Sequence, residues 1–264
     1  MSLFARRFCG YNRAAASPRT AMPQAAPGIV LTAVEARLAG RAVLSGLTLH
    51  LTEPRIGIIG RNGSGKTTLL RLIAGLIAPE SGQITVEGAD PARDRKAMLR
   101  HLGILFQNPD HQILFPTVGE ELTFGLRQQG IPAPEAAARV RAALEAEGRA
   151  HWHDAHCHQL SQGQKQYLCL MAILLMQPAT ILLDEPFAGL DLPTQARLTR
   201  RFATLPQRLI TISHDPATVA AADRVIWLEA GRLRADGPPN AVLPAFRAEM
   251  ARLGEQDADT HLAG

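Results

Sequence analysis

The stretch Gly60-Arg61-Asn62-Gly63-Ser64-Gly65-Lys66-Thr67-Thr68 decides the fold. It matches the pattern G-x-x-x-x-G-K-[ST], and its flanks supply the context that separates such a loop from a chance match. Arg55–Ile59 (RIGII) ahead of it reads as a short buried strand. Lys66–Leu76 after it reads as a helix, with Leu69, Leu70, Ile73 and Leu76 at helical spacing. The glycines let the backbone curl so that successive N–H groups point inward, and the helix start adds the positive end of its dipole. Lys66 places a point charge between the β- and γ-phosphates of a nucleotide, and the Thr67 hydroxyl can ligate Mg²⁺. Only Lys66, Lys96 and Lys165 among the 28 basic residues are lysines. A lysine at a motif position is therefore informative in a chain that otherwise uses arginine. Residues Gly60 to Thr68 form the candidate phosphate-binding set.

A second motif complements the first. Ile181-Leu-Leu-Asp184-Glu185 is an apolar strand that ends in two carboxylates. Asp184 at the strand's C-terminal edge can hold Mg²⁺, directly or through water. Glu185 is the natural candidate for polarising an attacking water. Together the motifs point to a nucleoside triphosphate with Mg²⁺ as its companion ion.

Working outward, short apolar runs recur along the chain. Ile29–Val34, Leu47–Leu51, Gln83–Val86, residues 103–106, Thr180–Leu183, Leu209–Ser213 and Arg224–Leu228 read as strands. Helical patterns separate them, which implies an α/β fold with a mainly parallel sheet covered on both faces. Residues 108–160 change character: they carry Pro109, Pro116, Pro132 and Pro134, then the Ala/Arg/Glu-rich stretch Pro134–Ala150, which reads as a helix. This segment looks like a helical insertion, a subdomain of about 108–164. Ser161–Met176 reads as a further helix, and residues 241–264 as a C-terminal tail.

Composition excludes several classes. The excess of 28 basic over 24 acidic residues, +4, equals Arg6, Arg7, Arg13 and Arg19 of the acid-free segment 1–27. The remainder balances at 24 of each sign, so no broad basic face and no nucleic-acid partner are expected. Residues 1–27 read as a disordered extension, or as the product of an upstream start with Met22 as the true one. The longest apolar run, Leu168–Met176, has nine residues, and a membrane helix needs about 18. Cys9, Cys157 and Cys169 are unpatterned, which argues against a disulfide framework. His151-Trp-His153-Asp-Ala-His156-Cys157-His158 has metal-ligand chemistry. It reads first as a linker, because closed tetrahedral sites usually draw ligands from two separated elements.

Four more features complete a constellation. Leu160-Ser161-Gln162-Gly163-Gln164 begins its serine 23 residues before Asp184. Gln107 follows a strand, Ala188-Gly189-Leu190-Asp191 follows Glu185, and His214 lies 30 residues after Asp184. In this order the motifs resemble the ATP-binding cassette (ABC) family along almost the whole of residues 29–240. The resemblance implies a RecA-like P-loop NTPase core with an inserted helical subdomain, residues 28–240 forming one ATPase domain. It implies a head-to-tail pair of such subunits, a homodimer favoured, with ATP sandwiched between the phosphate loop of one and the signature of the other. Ser161, Gly163 and Gln164 then serve the ATP held by the second subunit. Gln107 touches Mg²⁺ and the attacking water, Thr67 and Asp184 complete the metal set, His214 orients the γ-phosphate and Glu185, and Asp191 couples the two sites. Two departures stand out. Gln162 replaces the usual glycine, and Leu38 occupies the place of the adenine-stacking aromatic.

Phe106-Gln-Asn-Pro-Asp-His-Gln-Ile-Leu-Phe-Pro-Thr-Val118, with Glu120-Glu121 and Phe124-Gly125, resembles the ATPases of energy-coupling factor importers for vitamins and metal ions. Arg55–Gly60, residues 160–166 and Arg224–Glu229 are most similar to the biotin-importing members, with a cobalt or nickel importer as the alternative. That resemblance implies a transmembrane coupling subunit gripped through residues 108–125, where Ile113-Leu-Phe115 offers an apolar patch. It also implies a substrate-binding membrane subunit and a place on the cytoplasmic face of a bacterial cell membrane. A soluble ABC-type ATPase unrelated to transport is the reading from another class. The 95 residues from Lys66 to Ser161 carry no heptad run, which argues against the coiled-coil members of that class.

Overall fold

The computed structural model describes residues 28–255; segment 1–27 and the end of the predicted tail, 256–264, lie outside the described residues. Strands β3 (Arg55–Ile59), β5 (Leu102–Leu105), β6 (Thr180–Asp184), β7 (Arg208–Ser213), β8 (Arg224–Glu229) and β9 (Arg232–Gly237) form a sheet in the order β5-β6-β7-β3-β8-β9. All its neighbours pair in parallel except β8 and β9. The central strands are apolar along their length because both faces are covered: every residue of β3 after Arg55 is buried. A second, antiparallel sheet, β2-β1-β4, comprises β1 (Ile29–Leu38), β2 (Arg41–Leu51) and β4 (Ser81–Val86). The α/β fold with a mainly parallel sheet stands as the sequence indicates.

Helix α1 (Lys66–Ile73) follows the phosphate loop but stops short of Leu76. Gly75 takes φ 68°, Leu76 N–H donates to Arg71 O at 2.9 Å and Gly75 N–H to Leu72 O at 3.0 Å. This paired closure ends the helix, and it leaves Leu76 on the surface despite its helical spacing. A short helix α2 (Arg95–His101) feeds β5.

Residues after β5 build a helical lobe. Its α3 (Val118–Gln128) was not legible as a helix among the prolines, yet Thr117 and Glu120 form a capping box at its start. Helix α4 (Ala133–Ala146) ends before the predicted Ala150, where Gly148 turns at φ 67°. Helix α5 (Gln162–Met176) is capped by Ser161 and Gln164. Val118, Leu122, Leu126, Val140, Leu144 and Leu168 pack these three helices on one another.

Helix α6 (Leu192–Ala203) separates β6 from β7. The predicted C-terminal tail from 241 is corrected: Pro239–Glu255 forms α7. Its Val242, Leu243 and Phe246 lie on one face and are buried against Ile59, Val219, Val225 and Trp227. Phe246 meets Trp227 edge to face at 5.4 Å. An apolar stripe of that strength needs a partner surface, and β8 supplies it.

Candidate nucleotide site

The phosphate loop joins β3 to α1. Gly65, the residue before the helix, has φ 99° and ψ 2°. A side chain there would meet Leu44 Cδ2 at 2.7 Å, so glycine is required by both conformation and space. No side chain caps α1 and its first turn holds no acid, which leaves its leading N–H groups available to an anion. Lys66 is buried, and its Nζ donates to Gly60 O at 2.6 Å and Arg61 O at 2.9 Å. Burial pulls the amine below its ordinary pKa, and the nearby Glu185 and Asp184 oppose that shift. Ser64 Oγ is buried in the same loop with no hydrogen-bond partner among the described residues.

The two carboxylates come from the end of β6. Burial raises the Asp184 carboxyl above its ordinary value, Glu185 adds to the rise, and Lys66 and Arg71 oppose it. A carboxylate that is costly to charge beside a second one suits a divalent cation, which relieves both penalties. Glu185 occupies the left-handed region at φ 46°, an uncommon conformation for a residue with a side chain. The end of β7 holds it there. Glu185 N–H donates to Ile212 O at 2.9 Å. Its Oε2 accepts from Ser213 Oγ at 2.8 Å, and its Oε1 accepts from His214 N–H and from His214 Nδ1, each at 2.8 Å. Nδ1 carries a proton in that bond, so Nε2 is the outward nitrogen.

One cleft of about 400 Å³ gathers Asn62, Gly63, Gly65, Lys66, Thr67 and Thr68 with Gln107, Asp184, Glu185 and His214. Sheet order explains the convergence. Strands β5, β6, β7 and β3 are neighbours, and the residues that follow their carboxyl ends share one edge. Gly60 is buried at the base of the loop and Arg61 is exposed; these two and Ser64 do not line the cleft. Val43 lines it and Leu38 does not; Leu38 is 39% exposed at the end of β1.

Four predicted residues lie elsewhere. Ser161, Gly163, Gln164 and Asp191 are outside the cleft. Ser161 N–H donates to Gln164 Oε1 at 2.8 Å, so the Gln164 side chain is engaged in capping its own helix. A Cβ on Gly163 would stand 2.8 Å from Thr194 Cγ2 of α6. Asp191 caps α6 by accepting from Thr194 N–H at 3.0 Å, and the Thr194 bonds hold its carboxyl below the usual range. The signature turn and the segment carrying Asp191 thus pack through Thr194.

One contributor, Ser213, escaped the sequence, and Glu121 was legible only as part of the importer-like motif. Ser213 carried no signal beyond preceding His214. Glu121 is buried, and its Oε2 accepts from Leu114 N–H at 2.9 Å and Phe115 N–H at 3.0 Å. It thereby shapes the Ile113-Leu-Phe115 patch, in which Leu114 is 68% exposed. Among the described residues no group of three or more His, Cys, Asp or Glu is placed to hold a metal, and the His151–His158 run belongs to that statement. No helix among them is long and apolar enough to cross a membrane.

Residues 44–188 match the family model described as ABC transporter. The biotin transport ATP-binding protein BioM of Rhodobacter capsulatus is 53% identical over 219 residues, covering 83% of this chain and 94% of that protein. The energy-coupling factor transporter ATP-binding protein EcfA1 of Streptococcus agalactiae is 37% identical over 205 residues, covering 75% of this chain and 74% of that protein. Among solved structures, cbiO1 of Clostridium perfringens, part of the ABC transporter complex cbiONQ, superposes with a TM-score of 0.71 at 28% identity, covering 87% of this chain and 95% of that one.

Proposed function

The chain belongs to the ABC transporter family as an ATP-binding subunit, and from that premise we propose that it powers uptake of a vitamin, biotin favoured, as the ATPase of an energy-coupling factor importer. Its activity is ATP hydrolysis coupled to transport. Identity to the biotin transport protein supports the solute reading. The division of motifs carries the two-copy part of the mechanism: the nucleotide-binding and carboxylate groups share one cleft, while the signature residues stand outside it. A second copy, placed head to tail, completes the site.

In this mechanism Lys66 and the backbone N–H groups of Gly63 and of residues 65–68 bind the β- and γ-phosphates. Thr67, Asp184 and Gln107 would hold Mg²⁺, which would supply neutralisation of negative charge at the phosphates. Glu185 accepts a hydrogen bond from the attacking water; its three donors from Ser213 and His214 fix where that acceptor sits. His214 presents its outward nitrogen to the γ-phosphate. Ser161, Gly163 and Gln164 of the second copy close over the same phosphate, with the start of α5 adding its dipole. Closure therefore depends on the γ-phosphate, and hydrolysis releases it.

The exposed Leu114 and the Phe115–Phe124 pair, 5.1 Å between rings, form the surface offered to a transmembrane coupling subunit. A substrate-binding membrane subunit selects the solute, and the motor works at the cytoplasmic face of the membrane. Identity to the biotin transport protein supports the vitamin reading over a metal-ion one. Uptake of labelled biotin and labelled cobalt, in cells carrying the chain or its Lys66→Ala variant with the membrane subunits, tests it. Biotin uptake lost with Lys66 supports the proposal; loss confined to cobalt overturns it.

A further inference from the structure

The third of the three lysines has a partner that no motif requires. Lys165, on α5 one residue after the signature turn, places Nζ 2.7 Å from Asp110 Oδ1. Its neighbour Gln166 is buried and donates from Nε2 to Phe106 O at 3.3 Å. Phe106 and Asp110 bracket Gln107. Phe106 N–H also donates to Gln112 Oε1 at 3.2 Å, and Asp110 N–H to Asn108 Oδ1 at 3.0 Å. Two consecutive residues of one helix thus hold both ends of the turn that brings Gln107 to the cleft.

We propose that Lys165 is a positioning residue: its ion pair with Asp110 ties the Gln107 turn to the signature helix of the same chain, so that displacing either moves the other. The side chains are 18% exposed for Lys165 and 52% for Asp110. A pair so accessible contributes little to global stability, and what it fixes is the register between the Gln107 turn and the signature helix. The role needs only a cation that reaches one carboxylate oxygen, which the Lys165 ammonium does. The functional consequence rests on the two-copy reading above, whereas the tie itself does not. Under that reading Gln107 serves the nucleotide of its own chain and the signature helix serves that of the other copy. The tie then joins the two composite sites, and a pull on residues 108–125 reaches both.

Two measurements on the full chain test this. Hydrogen–deuterium exchange of the peptide spanning 104–113 should quicken in Lys165→Ala and in Asp110→Asn, with exchange of the phosphate-loop peptide unchanged. No local quickening overturns the tie, whether or not the chain hydrolyses ATP. Steady-state ATPase assays should then show kcat lowered about threefold in each single variant, the scale available to a half-exposed ion pair, with KM for ATP within about twofold. Lys165→Arg and the charge-reversed Lys165→Asp/Asp110→Lys pair should regain most of the loss. A reversed pair no better than its single variants, or a loss appearing in KM alone, overturns the positioning role. Absence of hydrolysis by the unmodified chain would instead count against the proposed function.

Discussion

Glu185 and His214, 29 residues apart in sequence, are joined twice: both the backbone N–H and Nδ1 of His214 reach Glu185 Oε1 at 2.8 Å. The join turns Glu185 into a left-handed conformation that its side chain disfavours. A carboxylate held this way has a fixed position, which matters more for directing a water molecule than its basicity does.

Ser213 supplies the third donor, at 2.8 Å from Oε2. Ser213→Ala should lower kcat by about tenfold, the worth of one hydrogen bond to a charged group, while leaving KM for ATP nearly unchanged. A steady-state assay separates the two constants. An effect on KM alone would mean that Ser213 shapes binding rather than the placement of Glu185.

Glu185→Gln keeps the side-chain shape but removes the charge to which the proposed mechanism assigns polarisation of water. Hydrolysis should fall at least about a hundredfold, in line with the loss of a general base. Binding survives, so light scattering with saturating ATP and Mg²⁺ should report a stable pair of subunits. A variant that stays monomeric under those conditions would falsify the composite site.

Lys66→Ala should act on binding itself. The buried ammonium is the phosphate loop's only full positive charge inside the cleft, Arg61 being exposed and outside it. Losing a charge-assisted contact of this kind should weaken ATP affinity by about ten- to a hundredfold, measured by nucleotide titration. The fold should persist, since the residue's two hydrogen bonds go to loop carbonyls rather than to the core.

Asp184 makes a signed prediction about pH. Its carboxyl lies above the ordinary value of 3.8, chiefly through burial. The folded chain therefore binds this proton more tightly than the unfolded chain, and the charged form costs stability at neutral pH. That cost disappears as pH falls through the raised pKa. Asp184→Asn should accordingly raise Tm at pH 7 to 8, with the gain shrinking toward acid pH, while hydrolysis is lost. A gain that grew toward acid pH would reverse the assigned direction.

Leu38 stands where the resemblance places an aromatic ring, and it is partly exposed beside the strand turn that leads to Val43. An apolar side chain without a π-face gives little grip on one base over another. ATP and GTP should be hydrolysed with kcat/KM values within about fivefold, and Leu38→Tyr should tighten ATP binding by about 1 kcal/mol. Competition between the two nucleotides measures both effects.

Local chemistry was readable wherever the deciding atoms lie within a few residues. The phosphate loop, the helix that starts at Ser161 and the apolar strand ending at Asp184 are of this kind. The end of α1 was misread because Gly75, not the spacing of Leu76, decides where the helix closes. Helix α3 was missed although Thr117 and Glu120 announced its cap, since the surrounding prolines masked the pattern. Helix α7 was read as a tail because its apolar stripe means little until Trp227 is known to face it.

The sequence by itself determined the glycine-rich turn, the helix that follows it and the apolar strand that ends in two carboxylates, because turn conformation, helix ends and strand ends are set by neighbours in the chain. Only the tertiary structure decided which of those residues meet. Sheet order β5-β6-β7-β3 brings Gln107, Asp184, Glu185, His214 and Lys66 to one cleft and leaves Ser161, Gly163 and Gln164 outside it. Strand adjacency depends on contacts between segments a hundred or more residues apart, Ile56 with Ile210 for example, and no local rule encodes them. The donors from Ser213 and His214 to Glu185, and from Lys165 to Asp110, exist for the same reason.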